Sequence, residues 1–402
     1  MENTLERLVT QFQRRMMNVS LTVKRYLFDE INWENRLISV KGSRGVGKTT
    51  LLLQHIKLCR NIDSKTLYTS LDDIYFQGNT LVSLVEEFYA LGGRFLYLDE
   101  VHKYENWSRE IKSIYDNYQD LYVVFTSSSI LEINKGDADL SRRAVTYELH
   151  GLSFREYLNF EGVYISEVYS LSEILQNHTT IAQNIASEIS ILPHFNKYIE
   201  IGVYPFFKEG EDEYLLKLNN VIKVILETDI PAVYHTEYKT INKIKRLLFL
   251  LSSRLPYIPN ISKLSEQIET SSRNSTLHYL DYLEKARLTS NLKTSAKGSN
   301  YLVKPDKIYL ENTNLMAALN FGEQNTGTIR ETFFNHQLGV KHNVSTSKEA
   351  DFLIDDTFTF EVGGRSKKQG QIKGLANAFI AADRIEMGFG NKIPLYLFGL
   401  MY

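Results

Sequence analysis

Short apolar runs and longer amphipathic stretches alternate through the first third of the chain. "RLISVKG" (36–42) has the composition of a short buried strand, and "KTTLLLQHIKLC" (48–59) has the apolar spacing of a helix. Phe95 to Leu98 form a second apolar strand within "GGRFLYLDEVH". "ENWSREIKSIYDNY" then places Trp107, Ile111, Ile114, Tyr115 and Tyr118 on one helical face, and "LYVVFTSSS" follows as a buried strand ending in hydroxyls. Strand, helix and strand in this order predict an α/β fold with a parallel sheet.

The pattern changes beyond residue 240. Ile261, Leu264 and Ile268 mark a short amphipathic helix, "ETSS" a turn with an N-cap hydroxyl, and Leu277, Leu280 and Leu283 the buried face of a second helix. "LTSNLKTSAKGSNYLVKPDKIYL" continues as two strands with a lysine-bearing tip. Together they predict a helix-turn-helix with a wing. In the last segment, "TIRETFFNHQL" predicts a helix, "KEADFLIDDTFTFEVGG" a hairpin, "QIKGLANAFIAA" a helix and "IPLYLFGL" a final buried strand. With a weaker strand near 339–344, the order becomes α-β-β-β-α-β. The domain boundaries expected are 1–150, 151–240, 241–320 and 321–402.

A chain of 402 residues, 43% hydrophobic and 23% charged, has an ordinary soluble composition with room for several cores. "MENTLERLVTQFQRRMM" is charged throughout, and no apolar run approaches the ~18 residues of a spanning helix, so the expectation is a cytoplasmic protein with no membrane partner. The single cysteine, Cys59, has no partner for an internal disulfide, and its apolar helical setting predicts a core position. Charge is unevenly spread. Residues 241–310 carry 12 Lys and Arg against 5 Asp and Glu, a net +7, while the rest of the chain carries −9. A polyanion such as DNA would sit on the basic segment.

The chemistry of the first segment follows from its loop. Gly42, Ser43, Arg44, Gly45, Val46, Gly47, Lys48, Thr49 and Thr50 contain G-x-x-x-x-G-K-T between a strand and a helix, the setting in which backbone N–H groups cradle phosphates. Lys48 would meet the β and γ oxygens of ATP, and Thr49 would reach Mg²⁺. Asp99, at the end of a neighbouring strand, is the expected metal-side carboxylate, with Glu100 placed to orient the attacking water. Thr126, Ser127 and Ser128 are candidate sensors of the γ-phosphate, against the plainer role of strand-end capping. Arg142 or Arg143 could neutralise transition-state charge, in its own subunit or a neighbour.

"RGVGKTTLLLQ", "LYLDEVHKYENWSREIKSIYD", "TSSS" and "LSRR" ahead of "ELHGLSFREYL" resemble the AAA-type ATPases of bacteria and archaea that end in a restriction-endonuclease-like domain. "KYIEIGVYPFF", "NISKLSEQIETSSRNSTLHYLDYLEKARL", "KPDKIYLENTNLMAAL" and "EADFLI…FTFEVGGRSK" extend the likeness over nearly the whole chain. The resemblance implies a P-loop AAA-type core, a helical lid, a winged helix and a nuclease-like module. The family commonly has a glycine where this chain has Arg142, so Arg143 is the better match for a catalytic arginine.

In a winged helix, Arg273, Asn274 and His278 would face a DNA groove, with Lys293, Lys297 and Lys304 on the wing. The same fold also serves protein docking. In the last segment Asp351 and Glu361 match the metal-binding acids of a nuclease and Glu331 the helix acid, while the lysine position is Gly363. Two adjacent glycines there suggest a kink that carries Arg365, Lys367 and Lys368 away, so the expectation is a module without nuclease activity. The leading reading is an ATP-dependent switch associated with DNA, with ATP, ADP and a protein partner or second copy as ligands. An ATP-gated nuclease and an interaction ATPase are the alternatives.

Overall fold

The computed structural model describes residues 4–60, 64–128, 140–270, 272–294, 304–319, 325–368, 370 and 372–402. The chain forms two compact units, Met1–His150 with Ala232–His235, and Gly151–Pro231 with Thr236–Tyr402.

The first unit begins with helix α1 (Thr4–Met17) and the short α2 (Leu27–Glu30). It continues through β1 (Leu37–Gly42), α3 (Lys48–Cys59), β2 (Thr66–Ser70), α4 (Leu81–Ala90), β3 (Phe95–Asp99), α5 (Trp107–Asn117), β4 (Tyr122–Ser128) and β5 (Val145–Glu148). All five strands are parallel, in the order β2-β3-β4-β1-β5. β4 therefore lies between β1 and β3, so the acid-bearing strand is one place further from the P-loop strand than its sequence pattern suggested. Leu67, Leu96, Leu98, Val123 and Phe125 of the strands pack with Leu84 and Phe88 of α4, Ile111 and Ile114 of α5, and Leu5 and Leu8 of α1. Each such buried side chain contributes about 1.5–3 kcal/mol.

Behind the sheet, Trp33 stacks on His55 with ring centroids 3.7 Å apart, and the Tyr97 hydroxyl meets His55 Nδ1 at 2.9 Å. Burial and then the Arg60 charge hold His55 down to about 3, so it is a neutral core residue. Cys59, expected in the core, is exposed. It falls on the last turn of α3, where the buried face has already ended at Ile56.

The second unit starts with helices α6 (Phe154–Glu161), α7 (Leu171–Glu188), α8 (Ile191–Ile201) and α9 (Tyr214–Val224), followed along the chain by α10 (Ile230–Tyr234) and α11 (Tyr238–Ser252). Ser153 and Ser170 cap α6 and α7 in capping boxes with Glu156 and Glu173. Next come α12 (Ile261–Gln267) and α13 (Arg273–Lys285), then β6 (Thr289–Leu292) and β7 (Lys307–Leu310), which pair antiparallel. Ile261, Leu264, Ile268, Leu280 and Leu283 are buried as their spacing requires.

Helices α14 (Thr313–Leu319) and α15 (Thr326–Leu338) lead into a five-stranded sheet of β8 (Val344–Thr346), β9 (Phe352–Ile354), β10 (Phe358–Gly363), β11 (Ala378–Ala382) and β12 (Lys392–Pro394). The hairpin β9–β10 forms as expected, and β10, β11 and β12 run parallel.

Two expectations fail in this sheet. No helix lies between β10 and β11 among the described residues. Gly374 at φ +87° and Asn377 at φ +53° interrupt the segment, and Ala378, Ile380 and Ala382 then enter the core at a period of two. The final apolar run is also not a strand. β12 ends at Pro394, and Leu395–Leu400 form a 3₁₀ helix. A run buried on every side carries no period to separate the two states.

Candidate functional site

The loop after β1 uses its glycines for two different reasons. A Cβ on Gly42 would stand 2.4 Å from the Leu149 carbonyl oxygen, so the strand end fits only without a side chain. Gly45 and Gly47 have φ of +85° and +98°, the left-handed region that glycine enters without strain. The chain thereby turns sharply into α3, whose first N–H groups are an anion-binding terminus. Arg25, 4% exposed, donates to the carbonyls of Val46 and His150 and fixes the outer wall of the loop. Lys48 Nζ donates to the Gly42 and Ser43 carbonyls at 2.8 and 3.0 Å. Arg44 lies 3.5 Å from the Glu100 carboxylate, and Thr50 is in the first turn of α3.

Asp99 is 3% exposed and gathers three hydroxyl donors. Thr49 Oγ1 donates to Oδ2 at 2.7 Å, Tyr68 Oη donates to Oδ2 at 2.8 Å, and Thr126 Oγ1 donates to Oδ1. Thr126 also accepts the Glu100 N–H at 3.0 Å. Glu100 sits at φ +54°, a conformation that non-glycine residues seldom adopt. Its carboxylate lies 3.5 Å from Arg44 and 3.8 Å from His102. The β1–β4 register explains the role of Thr126. Val40, Lys41 and Gly42 pair with Thr126, Ser127 and Ser128, which brings the end of β4 between the phosphate loop and the acids.

Hard oxygen donors around a buried carboxylate suit a water-coordinated Mg²⁺. The Ser43 and Ser127 hydroxyls are buried without a hydrogen bond among the described residues, an arrangement that calls for a polar ligand or water. Burial, and then the Asp99 charge, raise the Tyr68 hydroxyl above its ordinary range, so it remains a donor.

Arg143 does not join this cluster. It forms a bidentate pair with Asp116 at 2.9 and 3.1 Å. Asp116 ends α5 before β4, and Arg143 precedes β5, so both lie at the sheet edge opposite the phosphate loop. Arg143 is thus paired with Asp116 rather than with the phosphate-loop cluster.

In the second unit, Arg273, Asn274 and His278 are exposed on α13, and Lys293 and Lys304 are exposed at the ends of the β6–β7 pair. Lys297 lies outside the described residues. Burial, then the Glu331 and Glu361 charges, push Asp351 up to about 6. Glu331 accepts from Lys307 at 3.1 Å and Tyr309 at 2.5 Å, and Asp351 accepts the Val362 N–H at 2.8 Å. No group of three His, Cys, Asp or Glu side chains forms a metal centre among the described residues.

The expected outward kink after β10 is reversed. Lys367 N–H donates to the Gly364 carbonyl at 3.0 Å, closing a tight turn, and Lys392 Nζ caps that turn on the Arg365 and Lys367 carbonyls. Lys367 is thereby returned to Glu361 Oε1, while Glu361 Oε2 is buried without a hydrogen bond among the described residues. A Cβ on Gly363 would meet the Lys367 side chain at 2.8 Å. Lys367 fills the space that a residue 363 side chain would use.

Sequence reasoning missed Arg25, Tyr68 and the inward path of Lys367. Tyr68 looks like any strand aromatic, and Arg25 precedes the motif by 17 residues with no pattern linking them.

Residues 34–158 match the family described as an AAA domain, and residues 192–326 match a domain of unknown function, DUF8612. The match, the phosphate loop and the parallel sheet define the first unit as a P-loop core of the AAA ATPase type. An uncharacterized protein of Methanocaldococcus jannaschii is 28% identical over 271 residues, spanning 64% of this chain but only 56% of the relative's length. A second from the same organism is 23% identical, covering 80% of this chain and 72% of its own. An uncharacterized protein of Haemophilus influenzae is 22% identical, covering 78% of each. Among solved structures, DnaA from Aquifex aeolicus bound to AMPPCP is similar at a TM-score of 0.26 and 17% identity, over 68% of this chain and 86% of that one. That likeness is faint, and the class rests on the family match and the sheet. No helix among the described residues is long and apolar enough to cross a membrane.

Proposed function

We propose that the chain is an ATP-hydrolysing molecular switch associated with DNA. The carrying observation is the convergence of Thr49 and Thr126 on Asp99, with Glu100 held beside them. In this reading the N–H groups of Gly42 to Thr50 bind the phosphates and Lys48 supplies a cation to the β and γ oxygens. Thr49 and Asp99 would hold Mg²⁺, which neutralises developing phosphate charge. Glu100 orients water, and Thr126 links both acids so that they move together. Lys48→Ala should lose nucleotide binding. Glu100→Gln should bind ATP yet turn it over at least ~10²-fold more slowly, the scale of a lost proton-transfer group. Parent-like turnover in Glu100→Gln would end this assignment.

The DNA association rests on α12, α13 and the β6–β7 pair, read as a winged helix within the +7 segment. Arg273, Asn274 and His278 are presented on one exposed face of α13. Loss of each phosphate contact flattens the slope of log affinity against log salt by about 0.9 for duplex DNA. Replacing Lys293 and Lys297 together should weaken binding and reduce that slope. Unchanged titrations would favour a protein-docking wing.

The return of Lys367 to Glu361 favours a second reading, an ATP-gated nuclease. Asp351 and Glu361 supply oxygen donors of the kind a hard divalent cation takes, and Lys367 supplies the ammonium that Gly363 cannot. Duplex, single-stranded and RNA substrates incubated with Mg²⁺ or Mn²⁺, with and without ATP, test it. Cleavage absent from both Asp351→Ala and Lys367→Met supports the nuclease, and no cleavage by the parent leaves the switch alone.

A further inference from the structure

We infer that Tyr68 is a positioning residue for the Asp99 carboxylate, and that Arg15 acts through it to tie the N-terminal helix to the metal side of the nucleotide site. The inference rests on reading that site as one for Mg²⁺ and nucleotide.

Each carboxylate oxygen has two acceptor sites. On Asp99, Oδ2 takes the hydroxyls of Thr49 and Tyr68 at 2.7 and 2.8 Å, which fills it, while Oδ1 takes Thr126. Among the described residues Oδ1 thus keeps an acceptor site for a metal-bound water, and Tyr68 decides which oxygen that is. Without the Tyr68 hydroxyl, Oδ2 regains an acceptor site, and each oxygen is then held by one threonine, so the two compete for the metal-bound water.

Tyr68 is suited to this task because packing fixes its place. It is 2% exposed, lies within β2, and packs against Phe12 of α1 with ring centroids 6.3 Å apart. Arg15 NH1 donates into the Tyr68 oxygen at 2.9 Å, and its guanidinium lies 5.4 Å from the ring centroid. A cation donating to the oxygen occupies its acceptor side, directs the hydroxyl proton toward Asp99 and polarises the O–H bond. Helix α1 is itself fixed at both ends. Arg7 pairs with Asp73 at 2.7 Å, and Lys57 of α3 caps the Met16 and Val19 carbonyls at 3.3 and 2.8 Å. Arg15, exposed on that helix, is therefore a surface handle on a buried carboxylate.

The test is titration of a fluorescent ATP analogue into the full chain, in EDTA and across a Mg²⁺ series. Tyr68→Phe should leave the EDTA affinity within about twofold and raise the Mg²⁺ needed for half-maximal binding roughly 10-fold, the low end for groups that orient a metal ligand. Arg15→Ala should shift it about threefold in the same direction, since it acts only by polarising the donor. Arg15→Lys keeps a donor and should restore the parent value, and Arg14→Ala, one residue away, should match the parent. A parent-like Mg²⁺ dependence in Tyr68→Phe overturns the inference. Equal weakening in EDTA and Mg²⁺ also overturns it, because that marks a merely structural hydroxyl. If Mg²⁺ fails to strengthen binding to the parent, the nucleotide-site reading itself falls.

Discussion

Asp99, which is buried, and Asp351, which is half-buried, each stand at the heart of a candidate site, yet their surroundings are opposite. Asp99 is met by three neutral hydroxyls, which orient it without adding charge. Asp351 is met by two further acids, with the nearby cations assigned elsewhere: Lys307 to Glu331 and Lys367 to Glu361. Hydroxyl donors orient a carboxylate without adding charge, whereas neighbouring acids raise the cost of ionising it. The first acid is therefore held in place by neutral groups, and the second, pushed up to about 6, carries an electrostatic penalty once it is ionised.

Exchange of the two acids gives the largest expected difference. Asp99→Asn should slow ATP turnover by about 10²–10³, as loss of a positioned electrostatic group does. Asp351→Asn should leave ATP turnover within about twofold of the parent. A steady-state phosphate-release assay on both variants measures this. If Asp351→Asn also abolished turnover, the two sites would be one coupled machine and the contrast would fail.

The same difference governs what was legible in the sequence. The phosphate loop is contiguous, because nine neighbouring residues and one turn build it, so spacing alone exposes it. Asp99 and Thr126 end apolar strands, a position that pattern reveals. Tyr68 reaches Asp99 only through the order of strands in space, and nothing in "TLYTS" distinguishes a core tyrosine from a donor. In the second site the acids are expected from the likeness to a nuclease fold, but no sequence pattern points to the inward path of Lys367. Its return depends on a turn closed by the Gly364 carbonyl and capped by Lys392 from β12, 25 residues away in sequence. The helix expected over β11 fails for a related reason: "LANAFIAA" has helix-forming composition, while the left-handed Asn377 and the partner strands make it extended.

Glycine substitution at the two sites should differ next in size. Gly42→Ala drives a Cβ to 2.4 Å from the Leu149 carbonyl, part of a backbone already paired to β1 through Leu149 N–H and Lys41 O at 2.8 Å. Backbone cannot step aside cheaply, so the expected loss is about 1–3 kcal/mol, with weakened nucleotide binding. Gly363→Ala meets Cβ, Cγ and Cδ of Lys367, at 2.8 to 2.9 Å, a side chain rather than a paired strand carbonyl. It should cost less stability than Gly42→Ala while displacing the ammonium from Glu361. Denaturant melts of the two variants, beside the parent, test the order. A Gly363→Ala loss as large as that of Gly42→Ala would mean that the Lys367 turn is rigid.

The smallest effect is also the most discriminating, because the two units should respond to acid in opposite senses. Asp351 has a folded-state value raised from 3.8 to about 6, so its contribution to stability is fully present below 3.8 and is lost as pH rises through 6. Replacing it with Asn removes an ionisation penalty that exists only at higher pH. Asp351→Asn should therefore stabilise the second unit by about 1–2 kcal/mol at pH 8, allowing for partial exposure, and by almost nothing at pH 4. Asn can still accept the Val362 N–H, so the hairpin contact is kept. His55 runs the other way. Its folded value is lowered from 6.5 to about 3, so its contribution is present above 6.5 and is lost as pH falls toward 3. Thermal melts of the parent and Asp351→Asn at pH 8, 6 and 4 should show the gap between them closing with acid while the first unit weakens in both. A gap that stays constant across this series would show that Asp351 is not pressed by Glu331 and Glu361, and the contrast with Asp99 would lose its physical basis.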